Sequence, residues 1–192
     1  MDALPPVPAA PWAEDSPPVL GEGPLHAPLM LVGEQPGDEE DRLGRPFVGP
    51  AGRLLDRALA SAGIDRRACY VTNAVKHFKF VPRGGRRLHQ RPDAGDITLY
   101  RPFLMAELQR VIPRLVVALG ATAAQSLLGR KVGVAKIRGQ VIPGPGQRPT
   151  LVTVHPSYLL RLPDPAMREA EYARFVEDLG VALAWSRAER EG

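Results

Sequence analysis

The chain has 192 residues, 44% of them hydrophobic, a net charge of +4 and a single cysteine. That length suits one hydrophobic core, the lone cysteine excludes an internal disulfide, and no Cys/His cluster has the spacing of a structural zinc site. No apolar run approaches the roughly 18 residues of a membrane span, and the acid and prolines of MDALPPVPAAPWAEDSPP are unlike a signal peptide, so the expectation is a cytoplasmic protein.

Residues 1–28 hold eight prolines and little apolar periodicity. They read as an irregular arm with Trp12 as its anchor. Leu29–Val32 is a short apolar run before a Gly-rich turn, which suits a buried parallel strand. Pro50 then opens a helix with Leu54, Leu55, Ala58 and Leu59 on one face, stopped by Gly63. Cys69–Asn73 reads as a second strand, the basic stretch after it as a long loop, and Arg101–Val111 as the body of a helix. Leu115–Leu119 is a third strand followed by a helix over Ala121–Leu128, and Leu151–His155 is a fourth strand. A last amphipathic helix covers Pro165–Trp185. The domain organisation expected is an arm (1–28), one folded domain (29–185) and a short tail (186–192).

Strands alternating with helices predict an α/β fold, a parallel sheet covered on both faces with right-handed crossovers. Sites in such sheets form beyond the carboxyl ends of the strands. The unusual residues fall there: Gly33-Glu34-Gln35-Pro36-Gly37 after the first strand, Asn73 at the end of the second, Gly120 after the third, and His155-Pro156-Ser157 after the fourth. Singly, each has an ordinary structural reading as a turn, a cap or a hydrogen-bonded histidine, and Phe47 reads as core. Together they bring a carboxylate, an amide, an imidazole and an aromatic ring to one edge of one sheet.

Charge is segregated along the chain. Eight Lys or Arg residues and no acid lie between Arg66 and Pro92, whereas Glu34 to Asp41 holds five acids in eight positions. The basic stretch has the density of a polyanion binder, although a solvated loop has the same composition.

The set GEQPGDEEDRLGRPFVGPAGRLLDRAL, YVTNAVKHFKF, GGRRLHQRP, LVVALGATAAQSLLG and VHPSYLLR resembles the uracil-DNA glycosylase superfamily, and within it the bacterial X-type branch, from about Gly21 to Trp185. The resemblance implies a three-layer αβα sandwich with a four-stranded parallel central sheet, a uracil pocket at the strand ends, and a monomer acting on uracil-containing, single-stranded DNA. It places Gln35, Asp38, Phe47 and Asn73 around the uracil, and Lys76, Arg86, Arg87, Ser157 and Arg161 on the DNA. Glu34, His89 and His155 are the implied catalytic groups.

The chemistry suits these residue types. A target base must be unpaired or flipped out before its Watson–Crick edge is read. Phe47 can stack on the uracil face, and the Asn73 amide can satisfy both O4 and N3–H, a pattern that cytosine reverses. As the glycosidic bond lengthens, negative charge builds on uracil O2, where His155 is the candidate donor, and positive character on the sugar, where Glu34 is the nearby anion. His89 by composition alone is another phosphate contact. The resemblance implies instead a nucleophile that bonds to the deoxyribose C1′, since imidazole is largely neutral and nucleophilic at pH 7.

The chain departs from its relatives in the basic loop, with Gly85 where they often carry Lys and Leu88 where they often carry Ile, and in its cluster ligands. Many X-type members and the related iron–sulfur glycosylases carry four ligands for a [4Fe–4S] cluster, including N-terminal cysteines and one just ahead of an Arg-Pro pair. Here Tyr100 precedes Arg101-Pro102 and Cys69 is the only thiol, so the expectation is folding and activity without cofactor or metal. Two further classes remain open on the sequence: a non-enzymatic single-strand binder using Phe78 and Phe80 as stacking platforms, and a nucleotide hydrolase, for which no GxxxxGK[ST] loop is present.

Overall fold

A computed structural model describes residues 3–13 and 15–188. Seven strands and seven α-helices follow in order: β1 (Leu29–Gly33), α1 (Asp38–Leu43), α2 (Pro50–Ser61), β2 (Cys69–Asn73), β3 (Phe80–Arg83), β4 (Arg86–His89), α3 (Ala94–Val111), β5 (Leu115–Leu119), α4 (Ala121–Leu128), α5 (Val134–Ile137), β6 (Val141–Pro143), β7 (Pro149–Thr153), α6 (Pro156–Arg161) and α7 (Pro165–Ala188). Residues 189–192 of the expected tail lie outside the described residues, and 186–188 complete α7.

The central sheet runs β2-β1-β5-β7-β6, with the first four strands parallel and β6 antiparallel to β7. It therefore has five strands, not the four expected. The extra strand is only three residues long, Val-Ile-Pro, and is too short and too irregular to show a period in the sequence.

Alternation along the strands divides the core into two layers. Leu29, Leu31, Val71, Val117, Leu119 and Leu151 face α2 and α7, while Met30, Val32, Val116, Ala118 and Val152 face α3 and α4. Both faces are dry because each is covered by helices, which is why these strands read as unbroken apolar runs. No helix among the described residues is long and apolar enough to cross a membrane.

Three local outcomes differ from expectation. The basic loop is partly ordered as an antiparallel hairpin of β3 and β4, with Phe80 opposite His89 and Arg83 opposite Arg86. Helix α3 begins seven residues before Arg101, since Asp93 and Asp96 exchange side-chain-to-backbone hydrogen bonds of 2.9 Å in a capping box, and Pro102 is carried inside the helix. The arm is attached rather than loose. Glu22 and Val71 exchange backbone hydrogen bonds along the edge of β2, and Val19 N–H donates to the Lys76 carbonyl. Trp12 is its anchor as expected, its Nε1–H donating to Asp96 at 2.8 Å.

Candidate active site

Four parallel strands deliver Glu34, Asn73, Thr122 and His155 to one edge of the sheet, and the β3–β4 hairpin brings His89 over them. Nε2 of His89 lies 3.0 Å from one Glu34 oxygen. The other oxygen accepts from the Thr122 hydroxyl, in the first turn of α4, and Arg91 stands 3.9 Å from it. Burial pushes the Glu34 carboxyl up, but the hydrogen bonds from His89 and Thr122 and the charges of His89 and His155 outweigh it and hold it below its ordinary value.

His155 caps α6. Its Nδ1 accepts from the backbone N–H of Ser157 at 3.1 Å and lies 2.8 Å from the Ser157 hydroxyl. An accepting Nδ1 leaves the proton of the neutral ring on Nε2. Burial pushes this imidazole down to about 4, against the pull of Glu34 and with help from Arg161 and His89, so the ring is a neutral N–H donor at physiological pH. Gly120 makes room for it: its φ is +96°, and a Cβ there would sit 3.0 Å from the Cβ of His155.

Phe47 is held in a conformation that side chains rarely adopt, with φ 52°. Two neighbours hold the backbone there. Arg66 donates to the carbonyls of Pro46 and Phe47 at 3.0 and 2.9 Å. The buried Glu40 carboxylate accepts from the N–H groups of Gly37, Val48 and Gly49 at 2.8–3.1 Å. The ring then lies 5.9 Å from that of His155, tilted by 30°. Gly33 is required for this approach, because a Cβ there would fall 2.4 Å from both the Phe47 ring and Asn73 Oδ1. That Oδ1 is buried and has no hydrogen-bond partner among the described residues. Buried polar atoms are ordinarily paired, so an unpaired amide beside an aromatic ring marks a place for a ligand.

Other expected residues do different work. Lys76 is fully buried, its ammonium bonded to Glu107, Thr72 and the Asn73 carbonyl, and it offers no charge to a phosphate. Arg87 bonds to Asp38 and Asp41 and stacks over Phe78 and Phe80 at 5.3 and 5.1 Å, so it clamps the hairpin to α1. Asp38 is thereby committed to Arg87, and to Arg42 at 3.0 Å, rather than to a base. The Gln35 side chain bridges the hairpin stem, donating to the carbonyls of Lys79 and Gln90 and accepting from Lys79 N–H. Phe78 is buried and makes no exposed platform. Arg66, Lys76, Lys79 and Arg87 are ion-paired and at least half-buried, whereas Arg67, paired with Asp65, Arg91, 3.9 Å from Glu34, and Arg83 and Arg86 are the exposed cations of the basic stretch. Ser157 and Arg161 lie at the same edge, 3.3 Å apart.

An iron–sulfur cluster does not fit the residues present. Cys69 is buried with its thiol pushed up to about 11 by burial. Tyr100, ahead of the Arg-Pro pair, is packed in a cluster with Ala10, Ala13 and Val75, and its hydroxyl lies 2.7 Å from His77 Nδ1. Aromatic packing and hydrogen bonds thus tie the arm to α3.

Sequence reasoning missed Thr122, Glu40 and Asp41. A threonine two residues after Gly120 was a readable signal, since it opens a helix at the strand-end edge. Glu40 and Asp41 were visible only as acids of a charged run: Glu40 is held by backbone N–H groups, which carry no side-chain signal, and the partner of Asp41, Arg87, is distant in the chain.

The geometry is a three-layer α/β sheet with a ring, an amide, an imidazole and a carboxylate at its strand ends. Residues 20–180 match the family described as the uracil DNA glycosylase superfamily, and the chain belongs to it. It is 40% identical over 173 residues to the type-4 uracil-DNA glycosylase of Thermotoga maritima, covering 89% of this chain and 84% of that protein. Against the type-4 enzyme of Pyrobaculum aerophilum the identity is 36%, covering 85% and 80%. The type-5 uracil-DNA glycosylase of the same organism is 32% identical, covering 77% and 69%.

Proposed function

We propose that this protein excises uracil from DNA and, as an X-type member of its family, then captures the sugar through His89. The observation that carries the first step is the pocket formed by Phe47, the unpaired Asn73 Oδ1 and the neutral His155. Phe47 stacks on the flipped base, and Asn73 reads its N3–H and O4 edge. The C1′–N1 bond breaks with its electron pair leaving on uracil, and the Nε2–H of His155 donates to the O2 where that charge collects. Glu34, held ionised, faces the positive sugar.

The second step rests on the contact between His89 and Glu34. The ring nitrogen that carries no proton adds to C1′, and the product is an N-glycosyl imidazolium whose charge lies against the Glu34 carboxylate. Once that imidazolium gives up its remaining N–H proton to solvent, the neutral N-glycosyl imidazole could leave only as an imidazolate, a poor leaving group, so the adduct persists. Arg86, Ser157 and Arg161 contact the DNA backbone of a single strand, and the protein acts as a monomer without cofactor in the cytoplasm.

A denaturing gel of protein incubated with a uracil-containing oligonucleotide tests both steps. The expected result is free uracil together with a protein–DNA species that survives denaturant. Multiple-turnover release with no such species assigns the protein to the hydrolytic glycosylases. A shifted native complex with no released uracil leaves only a DNA-binding protein.

A further inference from the structure

The one fully buried lysine lies directly beneath the base-reading residue. The ammonium of Lys76 meets Thr72 Oγ1 at 2.6 Å, the Asn73 carbonyl at 2.5 Å and Glu107 Oε2 at 2.5 Å. Three acceptors match the three protons of an ammonium, whereas a neutral amine can fill only two of them. The Phe103 ring covers the group at 5.4 Å. On the far side, Glu107 Oε1 accepts from the hydroxyls of Tyr70 at 3.1 Å and Thr72 at 3.0 Å. Both charges are dry, the side chains being 0% and 1% exposed.

An ion pair of this kind is poor value for stability alone. Removing two charges from water costs several kcal/mol each, and apolar replacements of similar volume are often neutral or stabilising. Its placement suggests another use. Asn73 is the last residue of β2, where the chain leaves the sheet. Past it, Ala74 N–H donates to the Gly33 carbonyl at 2.8 Å and Val75 N–H to the Glu34 carbonyl at 2.9 Å. Those bonds fix the strand end from the β1 side, and Lys76 pulls the Asn73 carbonyl from beneath. The amide side chain is thus aimed into the pocket with Oδ1 unpaired, without spending a hydrogen bond of its own.

We infer that the Lys76–Glu107 pair, through Thr72 and the Asn73 carbonyl, is a positioning device that holds the Asn73 amide in its base-reading orientation. Lys76 and Glu107 touch neither base nor sugar; they act through Asn73. The inference rests on the proposed uracil pocket. Positioning errors of about 1 Å at a reacting site cost on the order of a hundredfold in rate.

The test is the double variant Lys76→Met/Glu107→Leu, which removes both charges together, measured with a uracil-containing single strand and the matching uracil-free strand. A purely structural pair predicts that activity returns along with stability. The positioning role predicts a folded protein with wild-type affinity for the uracil-free strand, but saturating single-turnover uracil release reduced about tenfold to a hundredfold. A folded double variant that releases uracil at the wild-type rate overturns the inference while leaving the proposed function standing. If the double variant does not fold, Thr72→Val decides: it removes one acceptor without stranding a charge, and wild-type release from that variant overturns the inference equally. A wild type that releases no uracil overturns both readings.

Discussion

Nε2 of His89 stands 3.0 Å from Oε1 of Glu34, joining the last residue of a short hairpin to the first residue beyond β1. The two are 55 positions apart in the sequence, and a 51%-exposed imidazole is thereby fixed on a carboxylate that is itself held by Thr122. The contact suits both ends of a capture reaction. Before it, the carboxylate orients the ring; after it, the same carboxylate lies against an imidazolium, where a charge-assisted hydrogen bond is stronger.

Replacing His89 by serine is expected to abolish the denaturant-resistant complex while leaving some uracil release, because water can take the vacated position. Gel electrophoresis with mass spectrometry of the intact protein reads the first effect, and uracil quantitation the second. Capture by the serine variant at wild-type yield is the result that removes His89 from this role.

Asn73→Ala and His155→Ala are expected to slow uracil release far more than they weaken DNA binding. Phosphate contacts dominate affinity, whereas in the proposed function these side chains act on the base and on charge developing in the transition state. Loss of one such donor costs about 3 to 4 kcal/mol, or 10²–10³ in rate. Single-turnover release and binding to a uracil-free strand, measured side by side, separate the two effects.

The pH dependence follows from two depressed groups. Glu34 is held below its ordinary value partly by Thr122, so Thr122→Val is expected to shift the acid limb of single-turnover release to higher pH, while Thr122→Ser leaves it in place. His155, down at about 4 from 6.5, refuses a proton that the unfolded chain accepts. Its contribution to stability is therefore complete above pH 6.5 and is lost as the pH falls from there through about 4. Denaturant titrations of the wild type and of His155→Asn across that window check the sign, since the variant loses this part of the slope.

Purified protein is expected to be colourless and to keep its activity in chelator, since Cys69 alone supplies no cluster ligand set. Stoichiometric iron with visible absorbance contradicts this. The packing around Tyr100 makes a second forecast: Tyr100→Ala opens a void among Ala10, Ala13 and Val75 and frees the arm. A loss of about 3 to 5 kcal/mol is typical for a buried aromatic residue, and limited proteolysis of the arm should accelerate.

Much of this was legible because it is local. Apolar runs such as Leu115–Leu119 named the buried strands, and Pro50 and Gly63 bracketed α2. Strand-end logic then gathered Glu34, Asn73 and His155, which the fold does bring to one edge. What stayed hidden depends on partners far apart in the chain. Lys76 and Arg87 looked like phosphate contacts because their compensating acids, Glu107, Asp38 and Asp41, lie 31 to 49 positions away. A charge run records composition, not which charges the fold has already paired. The hairpin was hidden for a related reason: its stem is stitched by the Gln35 side chain, which no strand periodicity reports.

Arg87 gives the sharpest separation between excision and capture. Its guanidinium forks between Asp38 and Asp41 and packs over the adjacent rings of Phe78 and Phe80, two residues before His89. The pocket residues Phe47, Asn73 and His155 are held by other contacts, from Arg66, Lys76 and the N-terminus of α6. Arg87→Lys keeps the positive charge but loses the planar fork and the stacking that a compact ammonium cannot reproduce. The hairpin should then lose register with α1, and His89 its fixed distance from Glu34, while the base pocket stays intact. The expected outcome is uracil release within a few-fold of wild type and a large fall in covalent yield, on the order of a hundredfold in capture rate. Rapid-quench sampling that follows free uracil and the denaturant-resistant species in one reaction measures both. Equal losses in the two would mean that Arg87 supports the whole site and not the hairpin alone.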